Sequence, residues 1–367
     1  MENNQTFAFL AEKFGIKGEV IGFEVVRHGH INGTYDVAVN QNGEEKHFFF
    51  QRVNTFVFKA PEQIMSNIAH VTGHISEKLA AAGESQDGVM HFLSCADGNN
   101  YYINGEEFWR VSVGVPNALT INVCTDPTSF RHSGEGFGRF QTLLADFDAS
   151  KLYETIPNFH NTKKRLETFW ASVESDPCNR AGALADDIER IRALAPLACR
   201  LGEMLDAGEL PLRVTHNDTK INNIIFDKDT LEAKTVIDLD TVMPGLVAHD
   251  FGDAIRFTGN TAKEDEADLS LVRLDMNMFR AFTEGFIGEV KDALTPAEIN
   301  TLALGAFTMT LELVVRFLGD YLDGDKYFKI AYPEHNLVRA RCQLRLAEDM
   351  FAKLDEMNAV VAQVAGA

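Results

Sequence analysis

Cysteine is scarce and scattered. The five, Cys95, Cys124, Cys178, Cys199 and Cys342, form no C-x-x-C pair, which excludes a disulfide framework or a thiolate zinc site as the organising device. Tryptophan occurs twice, against 27 phenylalanines. Positive charge is also short: 34 Lys and Arg face 54 Asp and Glu, for a net charge of −20. That balance argues against nucleic acid or an anionic membrane as the main partner. Any polyanionic ligand must then be held by local backbone donors and metal, not by the field of the whole molecule. No apolar run approaches the length expected of a membrane span. The opening Met1-Glu-Asn-Asn-Gln5 carries no cationic and apolar leader. The expectation is a cytoplasmic, reduced monomer.

The 367 residues, 45% apolar and 24% charged, suffice for one or two domains with a sizeable core. Apolar spacing predicts a helix over 6–14, stopping at Gly15. Strands follow over 20–27, 34–39 and 47–53, with a turn at Asn40-Gln-Asn-Gly43. A helix from Pro61 to about residue 81 ends near Gly83. Two further strands bracket 98–100 and 104–105, the second over 107–113. Beyond Pro116 helical patterns dominate, over 127–146, 162–173, 183–207, 275–290, 296–322 and 334–362, interrupted by one short β segment. This order predicts an α+β, two-lobed architecture. Residues 1–115 would form a small lobe with an antiparallel sheet plus a helix, and 116–367 a larger, mainly helical lobe, with a hinge near 112–118. The acidic run Lys263–Asp268 reads as a solvated loop or helix start.

The interrupting segment carries the chemistry. Val214-Thr-His-Asn-Asp218-Thr-Lys-Ile-Asn-Asn223 is followed by Val236-Ile-Asp238-Leu-Asp240. Phosphoryl transfer from ATP needs metal ligands, a group that orients the acceptor hydroxyl, and a phosphate cradle. Asp218 is the candidate base or orienting group. Asn223, five residues on, offers an amide oxygen, and Asp238 a carboxylate at a strand end. Mg²⁺ takes oxygen ligands and usually only one or two carboxylates, so Asn plus Asp suits it. Taken alone, Asn217 and Asp218 are also good helix-capping residues; the second motif, close by and ending in Asp, favours the site. Asp250-Phe-Gly-Asp253 adds an acidic pair, with Asp250 read as a brace for the loop and not a reactant.

These motifs, with His249-Asp-Phe-Gly-Asp253, resemble the aminoglycoside phosphotransferase and choline kinase superfamily, which has a protein-kinase-like fold. Within it, Gly29-His-Ile-Asn32, Gln51-Arg-Val-Asn54, Met243-Pro-Gly245, Arg316-Phe-Leu318, Asp320-Tyr-Leu322 and Tyr332–Arg339 resemble the N-acetylhexosamine 1-kinases almost along the full length. The resemblance implies an enzyme that phosphorylates the anomeric hydroxyl of N-acetylglucosamine or N-acetylgalactosamine with Mg-ATP. It implies Asp218 as catalytic base, Asn223 and Asp238 as Mg²⁺ ligands, and His30, Phe257, Arg316 and Tyr327 around the sugar. On their own, Phe257 and Tyr327 also read as core or anchoring aromatics, His30 as a solvent-exposed loop residue, and Arg316 as an i,i+4 surface partner of Glu312.

Two departures matter. Kinases usually hold the α- and β-phosphates with a Lys on the third strand. Here that strand reads Phe48-Phe-Phe-Gln51-Arg52-Val53, so Gln51 or Arg52 must serve, and alternation lets only one face the cleft. A G-x-G-x-x-G loop is also missing, leaving Mg²⁺ the larger share of the phosphate grip. Adenine would meet backbone groups near Ser112, Val113 and Val115, by analogy of fold alone. A kinase of choline, an amino alcohol or an antibiotic is the alternative within the same fold. A nucleotide-binding pseudokinase is the alternative outside catalysis.

Overall fold

Alternation along the strands gives the N-terminal sheet two different faces. β1 (Glu19–Val26), β2 (Gly33–Gln41), β3 (Glu44–Val53), β4 (Tyr102–Asn104) and β5 (Glu107–Val113) form an antiparallel sheet in the order β1-β2-β3-β5-β4. The β2–β3 turn has Asn42 and Gly43 at positive φ, the tight hairpin that Asn-Gly favours. One face carries Val37, Phe48, Phe50, Trp109 and Val111, buried against Phe7 and Leu10 of α1 (Asn4–Lys13). The other carries Val53 and Phe108, packed on α2 (Pro61–Ala82) through Ile64, Met65 and Ile68. Helix α2 starts with Pro61 and ends on the left-handed Gly83, as its sequence predicts. The computed structural model describes residues 2–26 and 31–366, so His30 lies outside the described residues.

The remaining chain is mainly helical. Around β6 (Ala118–Thr120), β7 (Arg213–Thr215), β8 (Ile224–Asp227), β9 (Ala233–Val236) and β10 (Met243–Gly245) stand α3 (Pro127–Leu143), α4 (Thr162–Ser175), α5 (Ala185–Ala198), α6 (Arg200–Asp206) and α7 (Val247–Thr258). They are followed by α8 (Met276–Val290), α9 (Pro296–Asn300), α10 (Leu302–Leu322), α11 (His335–Ala352) and α12 (Leu354–Ala365). The short strands form two small antiparallel sheets, β6-β8-β9 and β10-β7. The expected helices over 183–207, 296–322 and 334–362 are each divided, at Cys199, Thr301 and Lys353. Helix α7 was not expected: Gly252 and the polar His249, Asp250, Asp253 and Arg256 break its apolar pattern, yet all four of those side chains are buried. The expected strand before Gly98 reduces to a single bridge, Phe92 to Ser112.

Helix α10 corrects the expectation about apolar runs. It is long and apolar enough to cross a bilayer by length and composition, yet 89% of its most apolar window is buried inside the fold. It is the central core helix. It touches α7 backbone to backbone: a Cβ on Gly305 would lie 2.0 Å from the Ala248 carbonyl oxygen, and one on Gly252 2.3 Å from that of Gly305. Only glycine fits this crossing, which brings His249 of α7 close to Glu312 of α10.

Candidate active site

The site is built on the β8–β9 hairpin. Antiparallel pairing sets Ile224 opposite Val236, and the Ile237 N–H donates to the Asn223 carbonyl at 2.9 Å. The residue before β8 and those just after β9 therefore meet at one end. β9 stops at Val236, two residues short of the expected strand end. Asp238 stands instead in left-handed conformation (φ 59°, ψ 56°) at the start of a 3₁₀ turn, Leu239–Thr241. Non-glycine residues are uncommon there, although Asp is among the better tolerated.

The loop 216–219 hangs from α7. Asp250 accepts from the His216 N–H at 2.9 Å, the Asn217 N–H at 2.7 Å and the Gln141 amide at 2.7 Å. It braces the loop, in the role read for it. Burial raises its carboxyl above the usual range, and these donors offset part of the rise. The Thr219 N–H donates to Asp253, which also accepts twice from Arg256. Asn217, at φ 64°, ties its amide to the Thr215 and Thr241 carbonyls. Gly245 leaves room for this stitching, because a Cβ there would fall 2.3 Å from Thr215 Oγ1.

Asp218 projects from that frame. Its Oδ1 pairs with Lys220 Nζ at 2.8 Å, and its Oδ2 accepts from Asn223 Nδ2 at 3.1 Å. Burial pushes its carboxyl up, but the Lys220 charge and hydrogen bond, then His216 and Asn223, outweigh this and hold it below the usual range. Asp218 is thus ionised at neutral pH. His216 Nδ1 accepts from the Asp218 N–H at 3.2 Å, so Nε2 carries the ring proton and donates to the Ile237 carbonyl at 2.8 Å. The Asn223 amide nitrogen is committed to Asp218, which leaves its oxygen as the remaining acceptor. Asp238 opens to the cleft. The walls around it, and then the charges of Asp240 and Asp218, push its carboxyl up to about 6 against Arg110 and His216. Among the described residues no three His, Cys, Asp or Glu side chains converge as a metal cage. Surplus negative charge and two hard oxygen donors fit a Mg²⁺ ion that takes its other ligands from phosphate and water.

Alternation separates the two candidates on β3. Gln51 faces inward and accepts from Arg110 Nε at 2.9 Å, while Arg52 turns to the other face and pairs with Glu107 at 2.9 Å and Glu2 at 2.8 Å. The buried cation here is Arg110 of β5, register partner of Gln51 and only 1% exposed. Its Nη1 pairs with Asp240, whose other oxygen accepts from Asn32 at 2.6 Å. Sequence reasoning missed this ion pair, since Arg110 reads as one polar position in an apolar strand. It missed Lys220 too, although Lys two residues after Asp218 was a readable signal. Of the backbone groups near the hinge, the Val113 N–H is committed to His91 and the Gly114 N–H to His47, each at 2.9 Å. Ser112 is buried in the sheet, while Val115 is half-buried.

Phe257 lies beside the Asp218 pair, its ring centroid 5.9 Å from Lys220 Nζ. Arg316 does not pair with Glu312; its guanidinium stands 5.6 Å from both the Phe159 and Phe328 rings. Tyr327 is 71% exposed and contacts Phe328 edge-on. The loop carrying both is shaped by Asp320, which accepts from the N–H groups of Lys326, Tyr327 and Phe328 at 2.8–2.9 Å.

Comparison with known proteins bears on the fold and the family. The curated D-psicose 3-epimerase of Agrobacterium fabrum is 27% identical over 150 residues, 41% of this chain and 49% of that protein. The chain thus spans about half the length of that relative, too little to show a shared family. An aminoglycoside phosphotransferase from Alicyclobacillus acidocaldarius superposes with a TM-score of 0.61 at 13% identity, covering 94% of this chain and 93% of that one. A spectinomycin phosphotransferase solved with ADP and spectinomycin gives 0.58 at 12% identity, covering 96% and 98%. A choline/ethanolamine kinase family protein from Mesorhizobium loti gives 0.53 at 14%, covering 98% and 99%. These share the protein-kinase-like α+β fold. The model of the phosphotransferase enzyme family matches residues 24–276. The chain belongs to that family.

Proposed function

We propose that the protein transfers the γ-phosphoryl group of Mg-ATP to the anomeric hydroxyl of an N-acetylhexosamine, giving the sugar 1-phosphate. The observation that carries the reading is an ionised Asp218 whose second oxygen orients the Asn223 amide beside Asp238. Asp218 orients the acceptor hydroxyl and takes its proton; Asn223 and Asp238 hold the metal. Bound Mg²⁺ neutralises charge across the phosphates. On the acceptor side, Tyr327 and Arg316 join Phe159 and Phe328, Phe257 stands beside Lys220, and the nearby carboxylate Glu312 is sealed on His160. A wall of rings and guanidinium suits a neutral polyol with an acetamido group. A cationic acceptor such as choline would call for open carboxylates or an aromatic cage. The resemblance of the segments around Asn32, Arg316 and Tyr332–Arg339 to the N-acetylhexosamine 1-kinases supports the same acceptor. The reading includes a nucleotide-binding lobe over 1–115, a sugar-binding lobe over 116–367, and a cytoplasmic monomer.

The test is ATP consumption with Mg²⁺ over N-acetylglucosamine, N-acetylgalactosamine, glucose, galactose, choline and no acceptor, with products identified by ³¹P NMR. A 1-phosphate formed from the N-acetylated sugars is the expected result. A 6-phosphate, or turnover with choline alone, would refute the acceptor assignment. ATP binding without turnover on any acceptor would refute the kinase reading itself.

A further inference from the structure

His160 belongs to no motif, yet it sits directly beneath the Asp218 loop. It lies between Phe159, with ring centroids 4.4 Å apart, and His249 at 5.4 Å. Its Nδ1 is 2.9 Å from Glu312 Oε1 and its Nε2 is 3.2 Å from the Asn217 carbonyl oxygen. The His160 side chain is 7% exposed and that of Glu312 is 0%. The second Glu312 oxygen accepts from Thr162 Oγ1 at 3.2 Å.

Counting donors decides the state of the ring. A neutral imidazole has one N–H and one lone pair, so it can satisfy only one of two acceptors. The carbonyl accepts only, and an ionised carboxylate accepts only. An imidazolium donates to both and balances a carboxylate that has no water around it, where an uncompensated charge would be costly. The groups around the pair favour this arrangement. Burial alone would raise the Glu312 carboxyl, but His160, then Arg316 one turn along α10, hold it down at about 2. The other charged neighbour, Arg165 of α4, is half-buried and donates to the Phe159 carbonyl. His249 of α7 completes the surroundings as a neutral ring, its basicity lowered to about 3 by burial and the neighbouring His160 charge.

We propose that His160 is a positioning residue for the phosphoryl transfer: as an imidazolium held by Glu312, it fixes the carbonyl of the left-handed Asn217 and so aims Asp218. The same clamp ties the base to helix α10, one turn before Arg316 on the acceptor side. A shift of the acceptor wall is thereby transmitted to the base through one buried ion pair. The proposal rests on the reading above only for Asp218 as the group that meets the acceptor hydroxyl, whatever that acceptor is.

Two measurements test it. The first is ring ¹⁵N NMR of histidine-labelled wild-type protein, with the His160 signals assigned by their loss in His160→Gln. Both ring nitrogens carrying a proton in the folded protein is the expected result; a ring with one bare nitrogen overturns the proposal. This needs no acceptor, so it stands apart from the sugar assignment. The second is kcat together with KM for ATP, using whichever acceptor the panel identifies. For His160→Gln, kcat should fall about 10- to 100-fold, with the ATP KM within about twofold. Unchanged kcat in the variant, or a fall in kcat matched by a comparable rise in the ATP KM, overturns the positioning role.

Discussion

Replacing His249 with Phe isolates one buried titration. In the fold this ring is 7% exposed, and Nδ1 has no hydrogen-bond partner. Burial, then the adjacent His160 charge, lower its basicity from 6.5 to about 3. The unfolded chain therefore takes up this proton first as pH falls. A depressed folded value makes stability rise with pH across the window from about 3 to about 6.5, with nothing further gained above it. At pH 5 the unfolded state gains RT ln(1 + 10^1.5), about 2 kcal/mol, while the native state gains almost nothing. That is a sizeable part of the ~5–15 kcal/mol by which domains are stable. His249→Phe keeps a ring, removes the titration and removes the orphaned nitrogen, whose desolvation costs about 1–3 kcal/mol. The variant should match or exceed wild type at pH 8 in equilibrium urea unfolding. Its advantage should grow by about 2 kcal/mol on going to pH 5. All other carboxylates and histidines titrate in both proteins, so they cancel in the difference. If the gap between the two proteins stays constant from pH 8 to 5, the reasoning is refuted.

Other expected outcomes are equally direct. Asp218→Asn should lose about 10²-fold or more in kcat, the range for general-base help, while Mg-ADP binding by calorimetry stays near wild type; near-normal turnover sinks the base assignment. Gly305→Ala should destabilise by about 1–3 kcal/mol or more through overpacking against Ala248. Gly319→Ala, in the same helix and only in ordinary contact with Phe169 at 3.8 Å, should be neutral or stabilising by up to about 1 kcal/mol. Equal thermal shifts for the two would contradict the backbone crossing. Arg110→Met and Asp240→Asn should each cost about 3–5 kcal/mol, because each strands or weakens a buried charge. The double variant should cost much less than their sum, and additive urea-unfolding energies would rule out the pair as one unit.

The architecture was readable wherever pattern is local. The Asn-Gly turn, the Pro61 start and Gly83 stop of α2, and the sheet's alternating Phe48 and Phe50 all act over a few residues. The helix expected from Pro61 to about residue 81 is found over Pro61–Ala82, while the one expected over 296–322 is divided at Thr301. Helix α7 was hidden because its acidic residues are buried by partners far away: Asp250 by Gln141 and the His216–Asn217 peptide, Asp253 by the Thr219 N–H. Nothing within the segment announces those partners.

The same distinction divides the site. Asn223 and Asp238 flank one hairpin and Asp218 lies five residues before Asn223, so short spacing brings them near each other, and a sequence motif can carry them. The charges that tune them do not. Arg110 meets Asp240 across 130 residues and His160 meets Glu312 across 152. Each long-range pair joins elements whose meeting depends on the packed fold, here β5 against the turn after β9 and the loop before α4 against α10. A lone Arg in an apolar strand, or a lone His before a helix, carries no trace of that in one sequence. The cation on the third strand was therefore sought where chain order predicts it, at Gln51 and Arg52. The fold instead supplies a buried cation from the neighbouring strand, at the register position opposite Gln51. That arrangement keeps a buried positive charge near Asp238 without placing it on β3, so the missing Lys alone is weak support for a non-catalytic module. An intact carboxylate and amide set, with its buried counter-charges in place, is the stronger argument, and it favours turnover.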